Sequence, residues 1–280
     1  MAQPPWLSEG APVVMGILNL TPDSFSDGGE LTNKDQLLAR AESMRSGGAQ
    51  LLDLGAVSTR PGSLLVSQEE ELHRLLPAVE SLISEGFEHL SIDTYRPAVA
   101  RAALAAGACM INDVRAAREP GMLELLGERK PWVCLMHMRG QPETMQRGEL
   151  GYRDALAEIG AWLAERAQAA IAAGLPQAHL LIDPGIGFGK SDTDNLGLTL
   201  GCAELRAASG CELLYGASRK SLVGRIAGID SPQQRLPGSL SLLGAAFRAG
   251  ARVFRVHDVA ETVQFLKLEL ALLQAKRARA

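Results

Sequence analysis

A single-domain α/β fold, the (β/α)8 TIM barrel, is what the sequence predicts, and three observations predict it. Eight short apolar runs recur along the chain, and most lead into a polar residue and then a turn. Helical patterns fill the intervals between them. No Pro/Ser-rich linker or charge run divides the 280 residues, and a barrel of this kind takes roughly 250. A doubly wound open sheet is the alternative that the same alternation allows. The clearest run is Leu180-Leu181-Ile182-Asp183, stopped by Pro184 and Gly185. Its apolar residues do not alternate with polar ones, so it reads as a strand buried on both faces, with Asp183 at its carboxyl end.

The other units follow in order. Val13 to Leu20 is the first strand, with Asn19 near its end, and it enters the turn-rich loop Thr21 to Gly29. A helix over about 34–47 closes at Gly47-Gly48, and Gln50 to Gly55 is the second strand, with Asp53 inside it. It opens into the loop Ser58 to Gly62. Ser67-x-x-Glu70 is a capping box, followed by Leu72, Leu75, Leu76, Val79, Leu82 and Ile83 at helical spacing. His89 to Asp93 and Cys109 to Asp113 are the next strands, with helices predicted over about 97–106 and 119–128. Trp132 to Met138 is the fifth, then a helix over about 153–173. After the Leu180 strand come one helix over about 194–209, a strand Glu212 to Gly216, and a helix opening at Ala217 to Ser221. A polar loop at 231–237, a helix over about 239–249, the strand Val253 to Asp258 and a final helix from Val259 complete the chain. Residues 1–12 read as an N-terminal extension of the barrel.

Composition narrows the function. Hydrophobic content of 46 % and charged content of 21 % are ordinary for a globular domain. The net charge of −4 gives no nucleic-acid footprint, so an anionic ligand needs local cations. None of the four cysteines forms a C-x-x-C pair, and Cys109 and Cys134 lie in apolar runs as buried thiols. The amino end lacks the basic and apolar regions of a signal peptide, and no apolar run approaches the ~18 residues of a membrane span. A cytoplasmic protein with reduced thiols is expected.

In a barrel, the strand ends converge on one mouth. The groups brought there are Asn19, Asp53, Asp93, Asn112, His137, Asp183, Lys220, Arg255 and His257. Each has a structural alternative: an Asp or Asn capping the next helix, or His137 packed among apolar neighbours. Together they are too many polar groups for caps alone. Asp93, Asn112 and Asp183 suit an aromatic ring bearing amino and ring N–H donors. Arg255, His257 and the Ser218–Ser221 turn suit anions. Gly187-x-Gly189 lacks the spacing of a dinucleotide fingerprint, and no H-E-x-x-H or cysteine cluster offers zinc. A hard divalent ion on Asn19 and a substrate phosphate remains open.

Seven segments carry a resemblance that spans nearly the whole chain: MGILNLTPDSFSDGG (15–29), STRPG (58–62), SIDT (91–94), IND (111–113), DPGIGFGK (183–190), SRKS (218–221) and RVHD (255–258). With these in this order the chain resembles the dihydropteroate synthase family. The resemblance implies a homodimeric (β/α)8 barrel using Mg2+. The implied reaction joins 4-aminobenzoate to 6-hydroxymethyl-7,8-dihydropterin diphosphate, releasing diphosphate and 7,8-dihydropteroate, a folate precursor. It implies that Asp93, Asn112, Asp183 and Lys220 hold the pterin, that Asn19 ligates the metal, and that Arg255 and His257 bind the diphosphate with Thr59 and Arg60. Phe25, Thr59, Pro61, Phe188 and Ser221, with Ser58 beside them, are implied for the aminobenzoate pocket, which is also where sulfonamides act. Asp27 is implied to face the reacting centre, where a cation-like methylene develops.

One segment departs from the family. Gly-Gly-Glu usually precedes the STRPG loop, and here Gly55-Ala56-Val57 stands there. Local repacking at the loop root is the expected consequence; slower turnover through altered loop movement is the alternative. Two other functions fit parts of the pattern. A corrinoid-dependent methyltransferase domain shares the pterin-binding barrel but has no need of the SRKS and RVHD anion site. An inactive pterin-binding paralogue has no need of an intact Asn19, Lys220, Arg255 and His257.

Overall fold

The structure is a computed structural model, and it describes residues 7, 11–20, 30–57, 66–140 and 150–278. Eight parallel strands close into a barrel in sequence order: β1 (Val13–Asn19), β2 (Leu51–Gly55), β3 (Leu90–Asp93), β4 (Met110–Asp113), β5 (Trp132–Met136), β6 (Leu180–Asp183), β7 (Glu212–Tyr215) and β8 (Val253–Val256). β8 pairs back onto β1 through Val13 to Gly16. The expected barrel is therefore correct and the open sheet is not.

Ten α-helices lie among the described residues: α1 (Glu30–Ser46), α2 (Gln68–Ser84), α3 (Pro97–Ala105), α4 (Met122–Arg129), α5 (Ala155–Ala172), α6 (Asp192–Leu200), α7 (Cys202–Ser209), α8 (Ser221–Ala227), α9 (Leu236–Arg248) and α10 (Val259–Arg277). The Ser67 hydroxyl accepts from Glu70 N–H at the start of α2, which is one half of the expected capping box; the Glu70 carboxylate pairs instead with Arg74, at 2.6 Å. α9 starts three residues earlier than its pattern, because Pro237 fits the first turn of a helix, where its missing N–H costs nothing.

The single helix expected over 194–209 is two. Its break is Gly201, which ends α6 and begins α7. A Cβ at Gly201 would lie 2.4 Å from Leu156 Cδ1 of α5, so the glycine is there for close packing.

Strand alternation divides the interior in two. Val14, Leu18, Leu52, Leu54, Leu90, Ile92, Ile111, Val133, Leu135, Leu180, Ile182, Leu213, Tyr215, Phe254 and Val256 point outward into a large core shared with the helices. Met15, Leu51, Met110, Cys134, Leu181, Leu214 and Val253 point inward and form a separate plug, with Leu7 packed against it. Both faces of each strand are buried, which is why the runs read as continuously apolar.

All four cysteines are free thiols, three of them buried and Cys109 partly so. Burial raises the Cys109 and Cys211 thiols to about 11 and Cys202 to about 12, so they are unreactive packing groups. No helix among the described residues is long and apolar enough to cross a membrane.

Candidate active site

Two residues beyond the apolar plug, the same inward positions turn polar. Leu51 is followed by Asp53, Met110 by Asn112, Leu181 by Asp183, and Val253 by Arg255 and then His257. The period of two that builds the plug thus aims these side chains into the mouth. Glycines at 55 and 216 line it without a side chain. A Cβ on Gly55 would touch Asp93, and one on Gly216 would come within 3.7 Å of Asp183 Oδ2.

Asp53 is the hub. It is fully buried, and its carboxylate accepts from Ser91 Oγ at 2.6 Å, Asn112 Nδ2 at 3.1 Å and Arg255 Nε at 2.6 Å. Arg255 Nη2 donates in turn to Asp93 Oδ2 at 3.0 Å. Four strands are tied across the barrel by these bonds, and the Asn112 amide is oriented by one of them. Burial raises Asp93 despite the guanidinium beside it, to about 7. The two neighbouring carboxylates hold Arg255 firmly protonated.

Asp183 accepts from Gly185 N–H at 2.7 Å, within the turn after β6. Loss of water raises it to about 6, against the pull of that bond and of Lys220, Lys190 and Arg255. Lys220 places its ammonium 3.9 Å from the centre of the Phe188 ring, a cation–π contact. Phe188 packs in a small apolar cluster with Val114, Met136 and Met138, beside Tyr95. This cluster puts apolar side chains beside the polar residues of the mouth.

The expected anion arm is built from two loops. Ser218 Oγ lies 3.0 Å from His257 Nδ1 and accepts from His257 N–H. Arg219, at φ 58°, turns away from the mouth and makes a two-pronged ion pair with Asp258. That pair fastens the loop carrying Lys220 to the loop carrying His257. Ser221, at the start of α8, is exposed on the rim and accepts from Arg225 at 3.0 Å.

Asp93, Asn112, Asp183, Lys220, Arg255, His257 and Phe188 are therefore brought together, and Asn19 stands half-buried at the end of β1, opposite Gly55. Phe25, Asp27, Ser58, Thr59, Arg60 and Pro61 lie outside the described residues. Ala56 is buried and Val57 half-buried where the second loop begins, with Arg74 Nη1 3.5 Å from the Ala56 carbonyl.

His137 is a correction. It points outward, beneath α5, edge-on to Trp162 at 4.9 Å and Tyr152 at 6.1 Å. Burial lowers it to about 3, so it is a neutral packing residue and not part of the mouth. Its strand parity carried the signal, since it sits three residues after inward-facing Cys134. Asp113 likewise faces away, accepting from Arg115 and Ala117 N–H to hold the turn after β4. Asp53 as the hub, and Lys190, were not assigned roles from sequence.

Residues 15–257 match the family model described as pterin binding enzyme. Dihydropteroate synthase of Escherichia coli K12 is 43 % identical over 265 residues, covering 95 % of this chain and 93 % of that one. The chain belongs to this family, among its dihydropteroate synthases. Solved structures agree. Yersinia pestis dihydropteroate synthase in a sulfonamide drug complex is 45 % identical, with a TM-score of 0.88 over 96 % of each chain. The Burkholderia cenocepacia enzyme complexed with 7,8-dihydropteroate is 42 % identical, with a TM-score of 0.86 over 97 % of this chain and 95 % of that one.

Proposed function

We infer that the chain is a dihydropteroate synthase, condensing 6-hydroxymethyl-7,8-dihydropterin diphosphate with 4-aminobenzoate in folate biosynthesis. The observation that carries this is the pairing of an acceptor floor (Asp93, Asn112, Asp183) with the cations Lys220 and Arg255 and the imidazole of His257 at its edge, in a chain of this family. The carboxylates and amide match the amino and ring N–H donors of a pterin. Lys220 closes the ring site from above, beside Phe188. Arg255 and His257 are assigned to the diphosphate, and Thr59 and Arg60 are assigned to it by family resemblance. Charge builds on that leaving group as the C–O bond breaks, and fixed cations stabilise it. The aminobenzoate nitrogen then forms the C–N bond and loses its proton. Held by Phe188, Ser221, Phe25, Thr59 and Pro61, this amine needs alignment more than activation. Asp27 is assigned the role of stabilising the positive charge that develops on the methylene.

Mg2+ fits the donor set as a substrate-borne ion. Asn19 offers one neutral oxygen at the mouth, and the described residues include no cluster of three His, Cys, Asp or Glu that would hold a metal alone. Mg2+ commonly binds through few protein oxygens plus substrate phosphates, and it would supply further charge neutralisation to the departing diphosphate. A homodimer is also proposed. Its support is the exposed Leu200, Ile226, Leu268 and Leu272 on α6, α8 and α10. Four unpaired thiols support a cytoplasmic location.

The direct test is diphosphate release. It should require both the pterin diphosphate and 4-aminobenzoate; release with the pterin ester alone, or none with both, would sink the assignment.

Two further outcomes follow. A sulfonamide carries the aniline ring of 4-aminobenzoate with a sulfonyl group in place of its carboxylate, and the proposed pocket has the family's usual residue types. Inhibition should be competitive with 4-aminobenzoate and should require bound pterin diphosphate or diphosphate. An inhibition constant a hundredfold above the aminobenzoate KM would mean that the loop after Val57 has been remodelled to reject the drug.

Pterin binding should also fall with pH. Bound pterin donates to ionised Asp183, so pterin and proton compete for it. With Asp183 at about 6 in the free protein, affinity for the unphosphorylated hydroxymethyl pterin should drop by up to about tenfold per pH unit below that value. Asp93, also raised by burial, adds in the same direction. Calorimetry from pH 8 to 5 reads this out, and a flat profile would remove both carboxylates from the ring site.

A further inference from the structure

Lys190 ends the DPGIGFGK segment, and its side chain is only 1 % exposed. Its ammonium donates to three main-chain carbonyls: Gly185 at 2.9 Å, Phe188 at 3.0 Å and His137 at 3.2 Å. An ammonium has three N–H donors and no lone pair, so its bonding capacity is filled. Loss of water lowers its pKa to about 7, with Asp183 opposing the fall. Only the charged form matches three acceptors. A neutral amine would turn its lone pair toward one of the oxygens.

The three carbonyls belong to two different loops. That of His137 follows β5, and those of Gly185 and Phe188 lie in the turn after β6. Three oxygen dipoles converging on one point repel one another unless a cation sits between them. The turn is wound around this cation. Gly185, Gly187 and Gly189 take φ values of 67°, 83° and 67°, where side chains are strained. A Cβ at Gly185 would lie 2.0 Å from the His137 carbonyl oxygen. Asn195 fastens the outside of the turn, accepting from Gly187 N–H at 2.7 Å and donating to the Lys190 carbonyl at 3.2 Å.

What this turn carries is the site. Gly185 N–H holds one oxygen of Asp183, and the Phe188 ring lies under the Lys220 ammonium. We propose that Lys190 is a positioning residue for the condensation. It is a built-in cation whose three bonds set the Asp183 carboxylate and the Phe188–Lys220 pair in register, while touching neither substrate. The inference rests on the reading of this mouth as the pterin and aminobenzoate site.

Lys190→Met keeps most of the length and removes the charge and donors. Lys190→Gln keeps two donors for the three carbonyls. The measurements are pterin diphosphate affinity by calorimetry and KM for each substrate, both referred to the folded fraction from circular dichroism. For Lys190→Met, the pterin diphosphate Kd and the 4-aminobenzoate KM should each rise at least tenfold, and Lys190→Gln should fall between that variant and wild type. A lysine that only supports the fold would lower the melting temperature and leave both constants of the folded fraction unchanged, which would overturn the proposal. Failure of both variants to fold would also overturn it, by making Lys190 a residue of the fold and not of the site. Absence of pterin diphosphate binding in the wild-type protein is a different result, and it would sink the functional reading itself.

Discussion

Asp183→Ala is expected to bring pterin affinity below detection in a protein that remains folded. The carboxylate sits at the end of β6, 5 % exposed, with one oxygen committed to Gly185 N–H. Its other oxygen faces the space beside Gly216, which has no side chain to fill it. Ring donors placed there lose a charged acceptor in the variant and find no water to replace it, at a cost of roughly 2–4 kcal/mol. That corresponds to about thirty- to a thousandfold in affinity. Stability should move the other way with pH. Burial raises Asp183 from 3.8 to about 6, so its ionised form is a burden on the folded state that grows as pH rises through this window. Relative to wild type, the alanine variant should therefore gain stability between about pH 4 and 6 and keep that gain at neutral pH, less what is lost with the Gly185 bond. Calorimetry with the pterin diphosphate and melting curves at two pH values test both parts. Affinity within a few-fold of wild type would take Asp183 out of the site.

This opposition between binding and stability explains why the site was readable at all. A polar residue at the inward position of a buried strand is a local rule broken, and the sequence displays each breach: Asp53 after Leu51, Asn112 after Met110, Arg255 after Val253. The barrel was legible for the same reason, since both faces of every strand are covered and the apolar runs stand out. Other features left no such trace. His137 ends an apolar run, which leaves both a place at the mouth and a packed histidine open; counted in twos from inward-facing Cys134, it falls on the helix side. The break at Gly201 is set by Leu156 of another helix, and helical spacing on either side gives no hint of it. Lys190 was visible within its motif, but its partners are main-chain carbonyls of two loops, which no spacing of side chains encodes. Asp53 stood at the mouth from the outset; that it ties Ser91, Asn112 and Arg255 together is a property of the closed barrel.

Arg255 is the second large effect, and the ion pairs show that it has two parts. Its guanidinium donates to Asp53 at 2.6 Å and to Asp93 at 3.0 Å, and its side chain is 20 % exposed. Arg255→Ala would leave both carboxylates without their cation, and breaking a buried pair from one side costs about 3–5 kcal/mol. Melting temperature should fall markedly. Asp93, already raised by burial, should rise further once the positive charge is gone. The ligand effect is separate. In the proposed site the free hydroxymethyl pterin would meet Arg255 only through the Asp53–Asn112 and Asp93 floor that it supports, whereas the diphosphate ester would also meet it as a counter-ion. Loss of one or two charge-assisted bonds to the anion adds roughly 2–3 kcal/mol, about thirty- to a hundred-and-fiftyfold, to whatever the free pterin loses. The two ligands should therefore separate in calorimetry on the same variant. Arg255→Lys restores one charge but not the fork that spans two carboxylates, so it should recover anion affinity more than floor geometry. Equal losses for the ester and the free pterin in Arg255→Ala would mean that the guanidinium serves the floor alone and that the diphosphate is held elsewhere.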